Sequence, residues 1–334
     1  MPPIQRMAVT VPAGPRLEDT AKRLAWAEAN GYADAWFSDG GAPDTLTMIA
    51  ALAHRIPKLR VGIAVTPVYT RTPAVLAATG QVLSQVLPNR FIMGLGSSSH
   101  NMMVGWHGQD FEKPVTRVRE TVELTRSMMA GEKSDYQGET VRSSGYRQAP
   151  LAAPVPIYMA ALRSKMIETA AEVADGVIFN LWPKKALPKM IEHVHIGAAR
   201  AGRNGADVEV VNRHMVLVTD DKEEGRARFR QSFAPYYATP VYNRFLAWAG
   251  YEDVAETIRQ GWAEKDRNKT TGALVNELID DIAIIGSADE CRERIRWAGK
   301  TGIHTHIIAP LSQDPAEIQR CFEAFRPEVF DLAA

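Results

Sequence analysis

The segment Arg90–His100, RFIMGLGSSSH, places an apolar run directly before two glycines and a group of hydroxyl side chains. Glycines let a ligand approach the backbone closely, and hydroxyls donate hydrogen bonds without filling much space. The spacing is Gly-x-Gly-x-x-Ser, so the third glycine of a dinucleotide fingerprint is missing, and the Gly-Lys-Ser/Thr of a phosphate loop is absent. We therefore interpret this segment as the end of a strand that could contact a ligand. It is neither a dinucleotide fingerprint nor a phosphate loop.

Segments of the same kind follow other predicted strands. Their small and hydroxylic side chains fit a planar cofactor. Arg163, Ser164 and Lys165 open a predicted helix, where free backbone N–H groups and the helix dipole favour a phosphate. An ordinary N-cap at Ser164 beside two solvated cations is the structural alternative. The strand-end segments are Ser38–Gly41, Thr66–Arg71, Ala160–Lys165 and Asn180–Pro183.

Fewer residues of the sequence support other kinds of chemistry. Asp39 is the only acid at these strand ends, whereas glycoside hydrolysis needs two facing carboxylates. His304 and His306 share one face of a predicted strand, as in metal-binding barrel hydrolases. A metal ion needs three or more protein ligands, and the other strand ends offer no matching set. We predict no metal site and keep a metal hydrolase built on this pair as an alternative.

Composition narrows the class of protein. The chain has 334 residues, of which 39 are basic and 39 acidic, so no long-range attraction to nucleic acid or an anionic membrane is expected. No apolar run reaches the roughly 18 residues of a spanning helix, and no secretory signal is recognised. We therefore expect a cytoplasmic protein. Cys291 and Cys321 fall in predicted C-terminal helices, which argues against a disulfide framework.

The elements that position these residues alternate between short apolar segments and longer amphipathic ones. This pattern is typical of βα units around a parallel sheet. Eight strands are the number that closes a barrel, whose active site lies at the C-terminal ends of the strands; a doubly wound open sheet is the alternative. The predicted strands are Gln5–Val11, Ala33–Ser38, Leu59–Thr66, Arg90–Leu95, Val155–Ala160, Gly176–Asn180, Val208–Val218 and Ile303–Ala309.

Three longer segments interrupt the alternation. Ser97–Glu112 and Gly131–Pro154 are long loops, and loops of this length usually bind something or are disordered. We interpret Asp220–Asp281 as a helical insertion before the last strand that caps the barrel or makes a subunit contact. No repeat or linker divides the chain, so we predict a single domain over residues 1–334.

Several segments together resemble the bacterial luciferase-like flavin and deazaflavin oxidoreductases. The most similar branch contains methylenetetrahydromethanopterin reductase and deazaflavin-dependent glucose-6-phosphate dehydrogenase. The resemblance implies an α/β fold, a (β/α)8 TIM barrel with an insertion, assembled as a homodimer and acting on a small-molecule substrate. The matching segments, in the family's order, are YADAWFSDG, LRVGIAVTPVYTRTPAV, LPNRFIMGLGSSS, KPVTRVRETVELTRSMMAGE, VPIYMAALRSKMIETAAEVADGVIFN, DDIAIIGSADECRERI and GIHTHIIAPL.

The resemblance also assigns positions to the cofactor, which would lie across the C-terminal mouth of the barrel. In the deazaflavin branch a non-prolyl cis peptide on the third strand faces the back of the ring, and it aligns with Ala64–Val65. The implied ring and ribityl contacts are Asp39, Ala64, Val65, Thr66, Gly96, Ser97 and Ser98, and the implied phosphate contacts are Ala160, Ala161, Arg163 and Ser164.

The chain departs from several deazaflavin relatives at two positions. Those relatives have a histidine after the strand-two aspartate and an acid in the strand-four loop, where this chain has Gly40 and Ser99. The candidate catalytic proton donors are therefore His100, His107 and Asp39. Candidate substrate-binding walls of the pocket are Tyr69, Trp106, Trp182 and His214.

The predicted function is hydride transfer between carbon C5 of coenzyme F420 and a small organic substrate. The protein would supply position, dryness and electrostatics, and the cofactor the redox chemistry. A reduced-FMN monooxygenase of the same fold is the first alternative. A non-catalytic flavin- or deazaflavin-binding protein is the second, because the histidine and acid are missing. The substrate and the direction of hydride transfer stay open.

Overall fold

The computed structural model describes residues 4–11 and 16–333. The ends of the predicted domain, residues 1–3 and 334, and the segment 12–15 lie outside this part. The strands are β1 (Arg6–Thr10), β2 (Asp34–Phe37), β3 (Arg60–Ile63), β4 (Thr66–Pro67), β5 (Phe91–Gly96), β6 (Asp135–Gln137), β7 (Arg142–Ser144), β8 (Ile157–Ala160), β9 (Gly176–Asn180), β10 (Glu209–Val218), β11 (Ile284–Gly286) and β12 (Thr305–Pro310).

Helices separate most of these strands, and their ends follow local signals. Helix α4 begins at a proline in its first turn, and a Ser287–Glu290 capping box begins α12. The helices are α1 (Leu17–Ala29), α2 (Thr45–Leu52), α3 (Pro73–Val86), α4 (Pro114–Met129), α5 (Ser164–Val173), α6 (Leu187–Arg200), α7 (Lys222–Ala238), α8 (Pro240–Trp248), α9 (Glu252–Ala263), α10 (Arg267–Gly272), α11 (Asn276–Ile282), α12 (Ala288–Lys300) and α13 (Pro315–Ala324).

Eight strands form a closed parallel barrel. They pair in the order β12, β1, β2, β3, β5, β8, β9 and β10, and β10 pairs again with β12. The predicted (β/α)8 TIM barrel and its eight strands are confirmed, with small differences at the strand ends. The alternative of an open doubly wound sheet is wrong, because the β10–β12 pairing closes the circle.

Three details differ from the predicted strands. The third strand was predicted as one segment, Leu59–Thr66, but β3 ends at Ile63 and β4 pairs separately with β5. The peptide bond between Ala64 and Val65 is cis, as the resemblance implied. The antiparallel hairpin of β6 and β7 lies in the predicted loop Gly131–Pro154, and β11 follows the insertion. Strands of three residues are too short to show a clear period-two pattern.

The helical insertion is confirmed as α7 to α11. These helices share an apolar core that includes Phe229, Tyr237 and Leu278. The same core contains Met215 of β10 and Leu311, which follows β12. The insertion is therefore packed on the C-terminal end of the barrel, on the side of β10 and β12.

Side chains fill the barrel in layers because alternate residues of each strand point inward. An apolar layer across the middle contains Trp36, Ile178, Val211 and Ile307. Two residues further toward the C-terminal end, the inward positions include Gly94, Ala160, Asn180 and Arg213. This last layer is the floor of the barrel mouth.

Two further expectations concern the cysteines and membrane spans. Cys291 lies in α12 and Cys321 in α13, as predicted, and both are buried free thiols. Burial raises the pKa of Cys291 to about 12 and that of Cys321 to about 11, so both remain protonated at neutral pH. No helix in residues 4–11 and 16–333 has the length and apolar character needed to cross a membrane.

Candidate active site

Small residues from three neighbouring segments meet at the barrel mouth. A Cβ atom built on Gly96 would lie 2.6 Å from Val65 Cγ2 and 3.2 Å from the Cβ of Ala160. At Gly94 a Cβ atom would lie 1.7 Å from the backbone oxygen of Ile63. Only glycine fits at either position without a shift of its neighbours. Three predicted cofactor residues, Val65, Gly96 and Ala160, are therefore brought together in one close-packed surface.

Hydroxyl groups border this surface. Thr66 is fully buried, and its Oγ1 has no hydrogen-bond partner in the described part of the chain. Such a group is normally satisfied by protein, water or a ligand. Ser97 donates to the carbonyl oxygen of Ser98 at 3.3 Å, and Ser98 has a left-handed backbone with φ of 60°. The buried Thr66 hydroxyl thus fits a role in ligand binding.

The N-terminus of α5 follows Ala160 and Ala161. The cap position is Arg163, which makes no side-chain capping bond, and Ser164 is the first helical residue. Ser164 is therefore not the cap residue of α5. Burial and the nearby Arg244 of α8 lower the pKa of Arg163. Neither arginine is within ion-pair distance of an acid in the described residues, so this corner is unneutralised and fits a phosphate group.

Asp39 lies at the rim beside a cation. Its carboxylate accepts a 2.7 Å hydrogen bond from Arg71, and its side chain is only 6% exposed. Arg71 also pairs with Asp44, the N-cap of α2. This arrangement fixes Asp39 as a hydrogen-bond acceptor whose charge is already matched.

The loop after β5 carries the two candidate histidines. Residues Asn101–Trp106 form a π-helical turn, with His100 and His107 exposed on either side. Trp106 is 65% exposed, and its ring lies 3.6 Å from the position of a Cβ atom on Gly41, in the loop after β2. Trp106 therefore lies at the rim of the mouth, and the roles of both histidines remain predictions.

Tyr69 anchors the far end of this loop. Its hydroxyl donates to the Glu112 backbone oxygen at 2.8 Å, and its ring stacks on Phe111 at 5.1 Å. His100 contacts the same Phe111 ring edge to face. The buried Tyr69 ring therefore connects the segment after β4 to the loop that carries both histidines.

Two predicted pocket walls lie elsewhere. Trp182 donates to Asn212 Oδ1 at 2.6 Å, and its ring packs against Trp297 of α12. His214 Nε2 lies 3.1 Å from His306 Nδ1. Asn212 and His214 alternate with the inward residues of β10, so they face the surrounding helices. Trp182 and His214 therefore lie on the outer side of the barrel wall and not among the inward side chains of its mouth, and their assignment as walls of the substrate pocket stays a prediction.

The histidine pair of the metal alternative is used in hydrogen bonds. His304 Nδ1 accepts from the Val210 backbone N–H at 3.0 Å, and His306 Nε2 lies 3.0 Å from Gln5 Oε1. Residues 4–11 and 16–333 contain no group of three His, Cys, Asp or Glu side chains that could hold a metal ion. The pair therefore connects β12 to its neighbours.

A polar group that the sequence reasoning missed lies opposite the small residues. Asn180 Nδ2 donates to the Tyr242 hydroxyl at 3.2 Å, and Asn180 Oδ1 has no partner in the described residues. Arg213 is directly opposite Asn180 in the β9–β10 register, and its Nε is also buried without a partner. The alternation of side chains along β10 could have indicated this position, because it places Arg213 on the same face of the strand as Glu209. No sequence pattern indicates that Tyr242 of the insertion lies above them.

Comparison with known proteins agrees with this architecture. The family model for luciferase-like monooxygenase matches residues 3–305, and the chain belongs to this family. It is 29% identical over 303 residues to 5,10-methylenetetrahydromethanopterin reductase of Methanolobus tindarius, an alignment that covers 90% of this chain and 91% of that protein. The resemblance recognised from the sequence is confirmed.

Solved structures share the fold. The coenzyme F420-dependent tetrahydromethanopterin reductase of Methanopyrus kandleri has a TM-score of 0.80 at 22% identity, and 98% of each chain is covered. An F420-dependent secondary alcohol dehydrogenase in complex with an F420–acetone adduct has a TM-score of 0.76 at 18% identity, covering 98% of this chain and 100% of that one. At these identities the likeness establishes the barrel and not the reaction.

Proposed function

We propose that this protein is an F420-dependent oxidoreductase that transfers a hydride between the cofactor and a small organic substrate. The observation that carries the proposal is the close-packed surface of Val65, Gly96 and Ala160, beside the uncapped and unneutralised N-terminus of α5. A planar ring with a phosphate-bearing side chain matches these two features. The relatives whose names include F420 support the cofactor expected from the sequence.

Each part of the site has a separate proposed task. Val65 and Gly96 would support the ring. The Thr66 hydroxyl, which has no partner in the described residues, would form a hydrogen bond with the bound cofactor. The N–H groups at the start of α5, together with Arg163 and Arg244, would bind the phosphate. When bound, F420 supplies a two-electron hydride carrier.

Other residues would control water and protons. The insertion shares an apolar core with Met215 and Leu311 on one side of the mouth. There it would exclude water from a bound substrate and strengthen electrostatic interactions. Asp39, matched by Arg71, would act as a fixed acceptor. We propose His100 or His107, on the loop after β5, as the group that exchanges a proton with the substrate.

Titration of the apoprotein with F420 and with FMN, followed by fluorescence, tests the cofactor. We expect F420 to bind with micromolar affinity and FMN to bind more weakly. Tight FMN binding without F420 binding would instead support the reduced-FMN monooxygenase, which the family's description makes the main alternative.

Turnover assays separate an enzyme from a binding protein. Reduced F420 and the protein would be mixed with ketones, enones, imines and nitro compounds, and cofactor oxidation would be followed. The proposal expects oxidation that depends on at least one substrate class. Binding of reduced F420 with no turnover of any class would favour the non-catalytic alternative.

We also propose a homodimer in the cytoplasm, as expected from the resemblance and the sequence. Helix α3 exposes three large apolar side chains, Val75, Val82 and Val86, which supports an interface. Sedimentation equilibrium of the wild type should give twice the chain mass. A monomer at every concentration would contradict the dimer.

A further inference from the structure

We propose that Arg213 binds a carboxylate of the substrate, so that the substrates of this protein are small organic acids. This inference rests on the proposed function and names its substrate class. Arg213 is not among the residues that the resemblance assigns.

The position of Arg213 places it in the barrel mouth. It lies two residues beyond Val211, which is part of the apolar layer inside the barrel. It is in register with Asn180 of β9 and with Ile307 of β12. The other inward positions at this level include Gly94 and Ala160, which present no side chain and a methyl group. The guanidinium therefore faces the region where a substrate would lie over the proposed cofactor surface.

The charge of Arg213 is not matched by the protein. In residues 4–11 and 16–333, no acid lies within ion-pair distance of it, and its hydrogen-bond partner is the thioether of Met215 at 3.7 Å. Its Nε is buried without a partner, and burial lowers the pKa of Arg213. Burying a cation without a counter-charge destabilises a fold. Such a group is retained where a ligand supplies the missing charge.

Tyr242 and Asn180, the polar neighbours of Arg213, do not neutralise its charge. Burial raises the pKa of Tyr242 to about 12, so its hydroxyl stays neutral and does not act as a counter-ion. Asn180 Oδ1 is an unpaired acceptor at the level of Arg213. A carboxylate can accept two hydrogen bonds from one guanidinium, while a donor on the same substrate can bind Asn180.

An oxygen of the cofactor ring is the other source of negative charge at this position. We favour the substrate because the residues assigned to the ring lie on or just after β2 to β5, and those assigned to the phosphate lie at the end of β8, at the start of α5 and on α8, whereas Arg213 is on β10. The two sources predict different results when Arg213 is replaced.

The test measures binding of benzoate and of its uncharged isostere benzamide by ligand-observed NMR, with and without saturating F420. Wild type, Arg213→Gln and Arg213→Lys are compared, and Arg259→Gln is the matched control because it removes an exposed arginine on α9. We expect wild type and the control to bind benzoate about tenfold more tightly than benzamide. Arg213→Gln should lose this preference, and Arg213→Lys should keep part of it.

Direct titration of F420 into the same variants separates the two sources of charge. We expect Arg213→Gln to bind F420 within about threefold of wild type. Equal binding of benzoate and benzamide by wild type would overturn the proposal even if Arg213→Gln does not fold. A tenfold loss of F420 affinity in Arg213→Gln, with the benzoate preference unchanged, would assign the guanidinium to the cofactor. Failure of wild type to bind F420 at all would refute the proposed function separately.

Discussion

Two arginines inside the same barrel have opposite surroundings. Arg60, near the N-terminal end, donates to Asp34 at 2.5–3.0 Å, to Glu209 at 2.6 and 2.9 Å and to Thr305 at 3.1 Å. Arg213, near the C-terminal end, has only the Met215 sulfur within hydrogen-bond distance in the described residues. The comparison indicates that the first arginine stabilises the barrel and that the second is available to a ligand.

The acids that contact Arg60 belong to a wider hydrogen-bond network. Glu209 also accepts from the Tyr158 hydroxyl and from Thr305, each at 2.6 Å. Although burial opposes ionisation, the hydrogen bonds from Arg60 lower the pKa of Glu209 to about 2. In barrels of this type, polar residues at the N-terminal face serve stability and those at the C-terminal face serve chemistry. The two arginines follow this division.

Removing the matched charge should have the largest effect. Arg60→Gln leaves Glu209 buried without its cation and leaves Asp34 with only the more distant Arg6, at 3.9 Å. We expect the free energy of unfolding to fall by about 3–5 kcal/mol, measured by urea denaturation. The exposed Arg259→Gln variant should change it by less than about 0.5 kcal/mol. A loss below about 1 kcal/mol in Arg60→Gln would contradict a structural role.

A side chain on the cofactor surface should have the next largest effect. In Gly96→Ala the new Cβ atom would lie 2.6 Å from Val65 and must displace it. We expect F420 to bind about 100-fold more weakly, equivalent to about 2.7 kcal/mol. Gly105→Ala is the matched control, because no heavy atom of the described residues lies within 4 Å of the added Cβ. Equal affinities of the two variants would place the cofactor elsewhere.

The buried histidines on the outer face of β10 and β12 are polar like the two arginines but face away from the mouth. Burial lowers the pKa of His306 to about 3 and that of His214 well below its ordinary value. The folded protein therefore keeps both neutral, while the unfolded chain binds protons below about pH 6.5.

Stability should consequently fall as the pH is lowered from 7.5 to 5.5, by about 1 kcal/mol for each buried imidazole. This window lies above the titration of Glu209 in either state. His306→Gln should reduce the slope of the free energy of unfolding against pH, and F420 affinity at pH 7.5 should not change. A slope equal to that of wild type would show that His306 is not the titrating group.

Removing the unmatched charge should have the smallest effect on stability. Arg213→Met takes away a partly buried cation without breaking an ion pair among the described residues, so the free energy of unfolding should stay the same or rise by up to about 1 kcal/mol. Urea denaturation alongside Arg60→Gln measures the difference directly. A loss above about 2 kcal/mol in Arg213→Met would mean that this arginine also stabilises the barrel.

The sequence predicted the barrel because each strand is a short apolar segment between turn residues, and this signal is local. The strand ends at Gly96 and Ala160 could be expected to meet because the strands are parallel, whereas the assignment of Val65, Gly96 and Ala160 to one cofactor was implied by the family resemblance. It failed where the direction of a side chain decides the role. His214 and Arg213 are adjacent in a strand buried on both faces, so polarity alone could not show that only Arg213 points into the mouth. Tyr242 reaches the site through the tertiary packing of the insertion.

We expect the mouth of this barrel to bind F420. Equilibrium dialysis of the wild-type apoprotein against equal concentrations of F420 and FMN tests it most directly. We expect F420 to be retained at one molecule per chain and FMN to stay mostly in the dialysate. Retention of FMN with no bound F420 would contradict this expectation.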